Sequence, residues 1–227
     1  MKRTAEILEL FPTPVIKFRF EKHDQYVDEW DNWEQCGRQP IGWQCELNTS
    51  FPQVQQDDPY APMDIVNKLK DDLQFQVKKV HQTHGLITDI TFYNFWYNAY
   101  YAGQGQEWHD HLPEYGLAPI WSGVYFAKNC FPGQFAFQSS DLSMKTQGPI
   151  NVQSSTIRKY YDDNYIGEFT DGDVVLFPPH LRHCVKVRED QNVTDQRLTF
   201  SFNIDSCLLY TSPSPRDYAA SRMPSSA

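Results

Sequence analysis

Three stretches of the chain carry residue types that could hold a metal ion and an anion. The first is "QEWHDH", residues 106–111. Histidine is the commonest metal ligand, and in an extended chain residues i and i+2 project to one face. His109 and His111 would then stand side by side with Asp110 turned away. The second is "GDVVLFPPHLRHCVKV", residues 172–187. It reads as a strand entered through Gly172 and Asp173, a turn at Pro178 and Pro179 that includes His180, and a returning strand that carries His183. In a jelly roll such a hairpin can return His183 opposite the first pair, and the three imidazoles would form one facial set with open positions for substrate and oxygen. The third is "RLTFSFN", residues 197–203, which places Arg197, Thr199 and Ser201 on one face of a strand. An arginine pointing into an apolar barrel is costly unless an anion meets it, and its planar guanidinium suits a carboxylate held through two parallel hydrogen bonds.

Each signal has a plainer reading. A single H-x-H on a half-exposed strand is commonly solvated, and Thr199 fits an ordinary β-branched strand position. The ordered set of H-x-H, a histidine after a Pro turn and an arginine on the next strand is far more demanding, and it favours a metal site. His23, His81 and His84 sit in polar or helix-end contexts and read as surface residues. Cys36, Cys45, Cys130 and Cys184 show no CxxC spacing, which argues against a zinc ribbon or redox dithiol, and they read as buried small hydrophobes.

The elements that must position these residues fall into two parts. Residues 1–83 form an extension with a short strand over 9–20 and a helix over 62–80, whose apolar positions Val66, Leu69, Leu73, Val77 and Val80 follow helical spacing. Residues 21–60 are polar and Trp-rich without a period. Residues 84–206 contain seven β-like runs, among them "TDITFYNFWYNAYY", "WSGVYFAK", "GQFAFQ" and "GPINVQ", separated by turn signals. That pattern predicts a mainly β, double-stranded β-helix of jelly-roll or cupin-like type, with the N-terminal strand and helix packed against it. After "FSFNIDS" the composition changes to "CLLYTSPSPRDYAASRMPSSA". This segment resembles translated read-through of a transposase-based sequencing adapter, so residues 207–227 are expected to be a non-native tail outside the folded domain.

With 227 residues, 40% of them hydrophobic, the chain can bury a core, and no apolar run approaches a membrane span. The acidic residues near the start are unlike a signal peptide, which gives a cytoplasmic expectation with no membrane partner. The net charge of −9 argues against a general nucleic-acid binder.

The order H-x-H, "WSGVYF", "GDVVLFPPHLRH" and "RLTFSFN", together with "LFPTPV", "WQCELNTSF" and "FWYNAYYAGQGQEWHDH", resembles the Fe(II)- and 2-oxoglutarate-dependent dioxygenases. The likeness is greatest to the oxygenase branch common in phage and marine microbial genomes. The resemblance covers most of residues 9–204. It implies Fe(II) and 2-oxoglutarate as cofactors, O2 as cosubstrate and hydroxylation of an unidentified peptide or small molecule with release of succinate and CO2. It implies further that His109 and His183 bind iron, that Arg197, helped by Thr199, holds the distal carboxylate of 2-oxoglutarate, and that Tyr101 and Tyr125 lie near it. The broad superfamily has H-x-D where this chain has His111. Either His111 completes a three-histidine site, or a carboxylate comes from Glu107, which shares the face by period, or from Glu114. The alternatives are a cupin-type metal enzyme without 2-oxoglutarate, and a non-catalytic jelly-roll structural or binding module.

Overall fold

The computed structural model describes residues 12–31, 44–51, 63–87, 89–113, 118–139, 164–187 and 196–206. The strand expected at 148–153, Glu114, Cys36 and the tail 207–227 lie outside them. In chain order the elements are β1 (Ile16–Arg19), a 3-10 turn (His23–Gln25), α1 (Val27–Asp31), β2 (Asn48–Thr49), α2 (Met63–Thr83), β3 (Ile90–Tyr100) and β4 (Gln106–His109). They continue with β5 (Trp121–Lys128), β6 (Phe135–Gln138), β7 (Asn164–Ile166), β8 (Asp173–Phe177), β9 (His183–Val185) and β10 (Arg197–Ser206).

The strands form two antiparallel sheets. The larger has the order β1-β8-β5-β10-β3-β2 and the smaller β4-β9-β6-β7. Val124, Phe126, Val175 and Phe177 of the larger sheet pack with Phe135, Phe137 and Val185 of the smaller one, so the space between the sheets is one core. This is the expected jelly roll. The outer face of the larger sheet builds a second core, in which Phe200, Phe202, Val174 and Leu176 meet Leu69, Leu73 and Val77 of α2. Those three helix positions recur at helical spacing, and each is fully buried.

Because both faces of the larger sheet are covered at its centre, β5 and β8 are largely apolar on both sides, as in a buried sheet. The inner face carries its longest polar row on β10, where Arg197, Thr199, Ser201 and Asn203 alternate with Leu198, Phe200, Phe202 and Ile204, with Asn98 of β3 and Ser122 of β5 beside it. All eight β10 residues are buried.

The N-terminal segment is tied in by β1 pairing with β8 and by polar contacts to α2. Gln76 donates to the Arg19 carbonyl at 2.7 Å, and Asp72 accepts from Lys22 at 2.7 Å and from the Tyr26 hydroxyl at 2.8 Å. Two histidines expected at the surface are core residues instead. His23 is buried with Nδ1 2.7 Å from the Tyr125 hydroxyl, and His81 is fully buried with Nδ1 donating to the Ile87 carbonyl at 2.7 Å. Each polar ring found a partner that the local sequence does not announce. No helix among the described residues is long and apolar enough to cross a membrane.

Truncating Leu73 to Ala should cost about 2–5 kcal/mol in urea unfolding, as for other large-to-small core changes. The same truncation at the exposed Phe75 two residues on should stay within about 0.5 kcal/mol.

Candidate metal and cosubstrate site

The antiparallel register of β4 against β9 sets His109 directly opposite His183. Directly opposed side chains are the closest neighbours that a sheet provides, and here the two ring centres are 4.1 Å apart. His111 lies just beyond the end of β4, where its backbone N–H donates to the Pro179 carbonyl at 2.8 Å and so ties it to the turn that precedes His183. Its ring is 5.0 Å from that of His183 and 5.6 Å from that of His109. One ligand atom from each of the three lies within 4.8 Å of the others. His180, exposed in the turn, stays outside the group, as expected.

The tautomer of each ring follows from its neighbours. Nδ1 of His109 lies 2.8 Å from the Glu107 carbonyl and Nδ1 of His183 lies 3.1 Å from the Leu181 carbonyl. A carbonyl only accepts, so both Nδ1 atoms carry the hydrogen. Nδ1 of His111 lies 2.7 Å from Ser122 Oγ and 2.9 Å from Asn203 Oδ1. The Ser122 hydroxyl donates to the same Asn203 oxygen at 2.9 Å, so the remaining hydrogen of this triangle belongs to His111 Nδ1. All three rings therefore keep the Nε2 lone pair for a metal, with the N–H held by backbone or amide oxygen in the usual manner of metal-binding histidines. Neutral imidazoles in this arrangement suit iron, nickel, copper or zinc.

Glu107 does not join them. A bulge between Gln106 and His109 breaks the two-residue period on which its shared face depended. Its Oε1 instead accepts the Gln44 N–H at 3.2 Å. Burial would raise this carboxyl, but the Cys45 thiol and backbone N–H groups outweigh it and hold the group below its ordinary range. The same bulged strand needs glycine at 105, where a Cβ would stand 2.6 Å from the Val185 carbonyl oxygen.

A cavity between the sheets joins the histidines to the polar face of β10, with Arg197, Thr199 and Ser201 in its wall. Among the described residues that line it, none is acidic. Arg197 is 4% exposed, and its guanidinium lies 4.1 Å from the centre of the Tyr100 ring, its register partner on β3. The Tyr100 hydroxyl donates to Gln106 Oε1 at 3.0 Å. Neither tyrosine expected here lines the cavity. Tyr101 accepts from Gln196 at 3.1 Å, and Tyr125 faces the outer core, where its hydroxyl meets His23 and Trp30. The strand parity that puts Val124 and Phe126 inside sends Tyr125 outward. Tyr100, Ser122 and Asn203 escaped the sequence reading, since none carries a motif.

Burial lowers the proton affinity of His109, of His111, to about 4, and of His183, which lies well below the usual value. A buried histidine kept neutral in the fold but protonated when unfolded makes the unfolded state bind more protons, so stability falls as pH drops. For metal-free protein the loss should run from about pH 6.5, the unfolded value, down toward the folded value near 4 of His111. Urea midpoints against pH should show it, and His111→Gln should flatten the slope. Asn203→Ala, which removes the main acceptor of His111 Nδ1–H, should weaken divalent metal binding about 10- to 100-fold in a chelator competition.

Residues 94–203 match the family model described as "Putative 2OG-Fe(II) oxygenase". Among solved structures, the chain is similar to HygX from Streptomyces hygroscopicus, crystallised with nickel, 2-oxoglutarate and hygromycin B, at 11% identity and a TM-score of 0.53, covering 86% of this chain and 84% of that one. A Pseudomonas putida prolyl-4-hydroxylase gives 12% identity and a TM-score of 0.53 over 86% of this chain and 93% of that one. A 2OG-Fe(II) oxygenase family oxidoreductase from Burkholderia pseudomallei gives 12% and 0.51 over 84% of each. At these identities the structures speak for the fold alone. No curated protein sequence matches the chain. The matched segment holds the three histidines and Arg197, and over it the chain is similar to the 2-oxoglutarate- and Fe(II)-dependent oxygenases.

Proposed function

We propose that the chain hydroxylates an organic substrate, with Fe(II) held by His109, His111 and His183 and with the distal carboxylate of 2-oxoglutarate held by Arg197. The observation that carries this reading is one cavity walled by three Nδ1–H imidazoles and by a buried arginine in a lining without acids. When bound, iron and 2-oxoglutarate together supply the oxidising chemistry, in which O2 is consumed and succinate and CO2 are released as a C–H bond of the substrate is oxidised.

The chain's own residues do the rest. Glu107 O, Leu181 O and the Ser122–Asn203 pair orient the three rings before any metal arrives, so little reorganisation accompanies binding. Tyr100 stacks under Arg197 and limits its rotation, which favours a planar two-point contact with a carboxylate. Thr199, next along the same face, has its side chain in the cavity wall where it can add a hydroxyl to that contact. Phe135, Val124 and Phe126 complete the wall and exclude water from the space between. A cupin-type metal enzyme that used no anionic cosubstrate would have no such need of Arg197.

His183→Ala should purify without iron after anaerobic reconstitution, read by metal analysis. Arg197→Ala should keep its iron while 2-oxoglutarate affinity falls at least about tenfold, the scale expected for loss of a charge-assisted hydrogen-bonded pair. Unchanged 2-oxoglutarate affinity in Arg197→Ala would overturn the cosubstrate assignment. Succinate release in wild type supports the reaction itself.

A further inference from the structure

A second cavity, of about 340 Å3, shares Trp96, Gln106, His109 and His111 with the first, but Arg197 is not in its lining. Its volume falls within the range of small-molecule sites. The rest of its wall differs from that of the first cavity. Phe51 and Trp96 meet edge to face, with ring centres 4.9 Å apart and planes at 70°, so they form an aromatic corner, and Tyr93 adds a third ring at the rim. Two carboxylate residues, Glu107 and Asp110, share the lining, and among the described lining residues there is no lysine or arginine. Trp96 is 5% exposed, and its indole N–H finds no hydrogen-bond partner among the described residues. A buried donor left in this state calls for an acceptor from outside.

Aromatic faces set at an angle beside carboxylates are the surroundings that bind organic cations, because ring quadrupole and negative charge act together on an ammonium group. We infer that this cavity is the prime-substrate site and that it takes an alkylammonium compound, with the cation in the Phe51–Trp96 corner near Glu107 and Asp110 and an acceptor group on the Trp96 N–H. This rests on the oxygenase reading above, since it is the two histidines in the cavity wall that make its contents the substrate. The rest of the substrate packs against Leu112 and Pro113. Either a free amine or the side chain of a lysine in a peptide carries this chemistry.

The test is calorimetric titration of the full chain, held anaerobically with Fe(II) and 2-oxoglutarate, with four probes. Cadaverine is paired with its neutral isostere 1,5-pentanediol, and acetyl-Gly-Lys-Gly amide with its norleucine counterpart. The cationic member of at least one pair should bind saturably, and about tenfold or more tighter than its neutral partner. Tighter cadaverine points to a free amine, and tighter lysine peptide to a protein side chain. The double change Glu107→Gln, Asp110→Asn should abolish the preference for the cation, and Phe51→Leu should weaken the cation, in variants whose circular dichroism matches wild type. Equal binding of charged and neutral partners, no binding of either cation, or a preference that survives the double change would each overturn the inference. The visible band of iron-bound 2-oxoglutarate, recorded on the same sample, separates the two claims. If the band forms without amine binding, the substrate class fails alone. Without the band, the oxygenase reading fails.

Discussion

The pairing of β4 with β9 is the contact on which the site depends. These short strands, four and three residues long, place His109 opposite His183, and no other register would do so. Short strands have few ladder hydrogen bonds of their own, so their register has to be fixed by what surrounds them. Gly105 lets the incoming chain lie against Val185, the Pro179 carbonyl holds His111, and Arg182 bridges to the Trp108 carbonyl at 3.0 Å and the Gln138 side chain at 3.1 Å. Phe135 and Phe177 then pack on the His183 ring from two sides, with centres at 5.3 and 4.7 Å. The smaller sheet is a frame for three rings.

The larger sheet has a different task, which is to be rigid and dry. Its outer face is sealed by α2 and the N-terminal segment, while its inner face gives up apolar character chiefly along β10. That polar row runs from Arg197 to Asn203, so one strand supplies both the buried cation in the cavity wall and the oxygen that orients His111. A change of register in β10 would move both at once. Three neutral imidazoles add no charge to a divalent ion, so in the proposed site charge balance would fall to the dianion, with Arg197 as the buried cation available to its far end.

Much of this was legible in the sequence because spacing carried it. H-x-H, the Pro-turn histidine and the arginine on the last strand correspond to residues that the fold does bring to one cavity, and "WSGVYFAK" coincides with β5. The helix was readable from Leu69, Leu73 and Val77. What could not be read was parity. All six central residues of β5 are buried, so no alternation of polar and apolar told which face Tyr125 would take. In β4 the bulge breaks the period that matched Glu107 to the histidines, and its carboxylate is taken up by Gln44 and Cys45 instead. His23 and His81 look polar in sequence yet are buried, with Tyr125 and the Ile87 carbonyl as partners for Nδ1 of each ring inside the core. In each case the deciding contact is tertiary or depends on a local irregularity.

The most direct measurement is anaerobic titration of the purified protein with Fe(II) and then with 2-oxoglutarate, followed by visible absorption. The account predicts that a metal-to-ligand charge-transfer band appears in wild type and is absent from His183→Ala. Iron bound without any such band on adding 2-oxoglutarate would contradict it, and so would a band that persists in the variant.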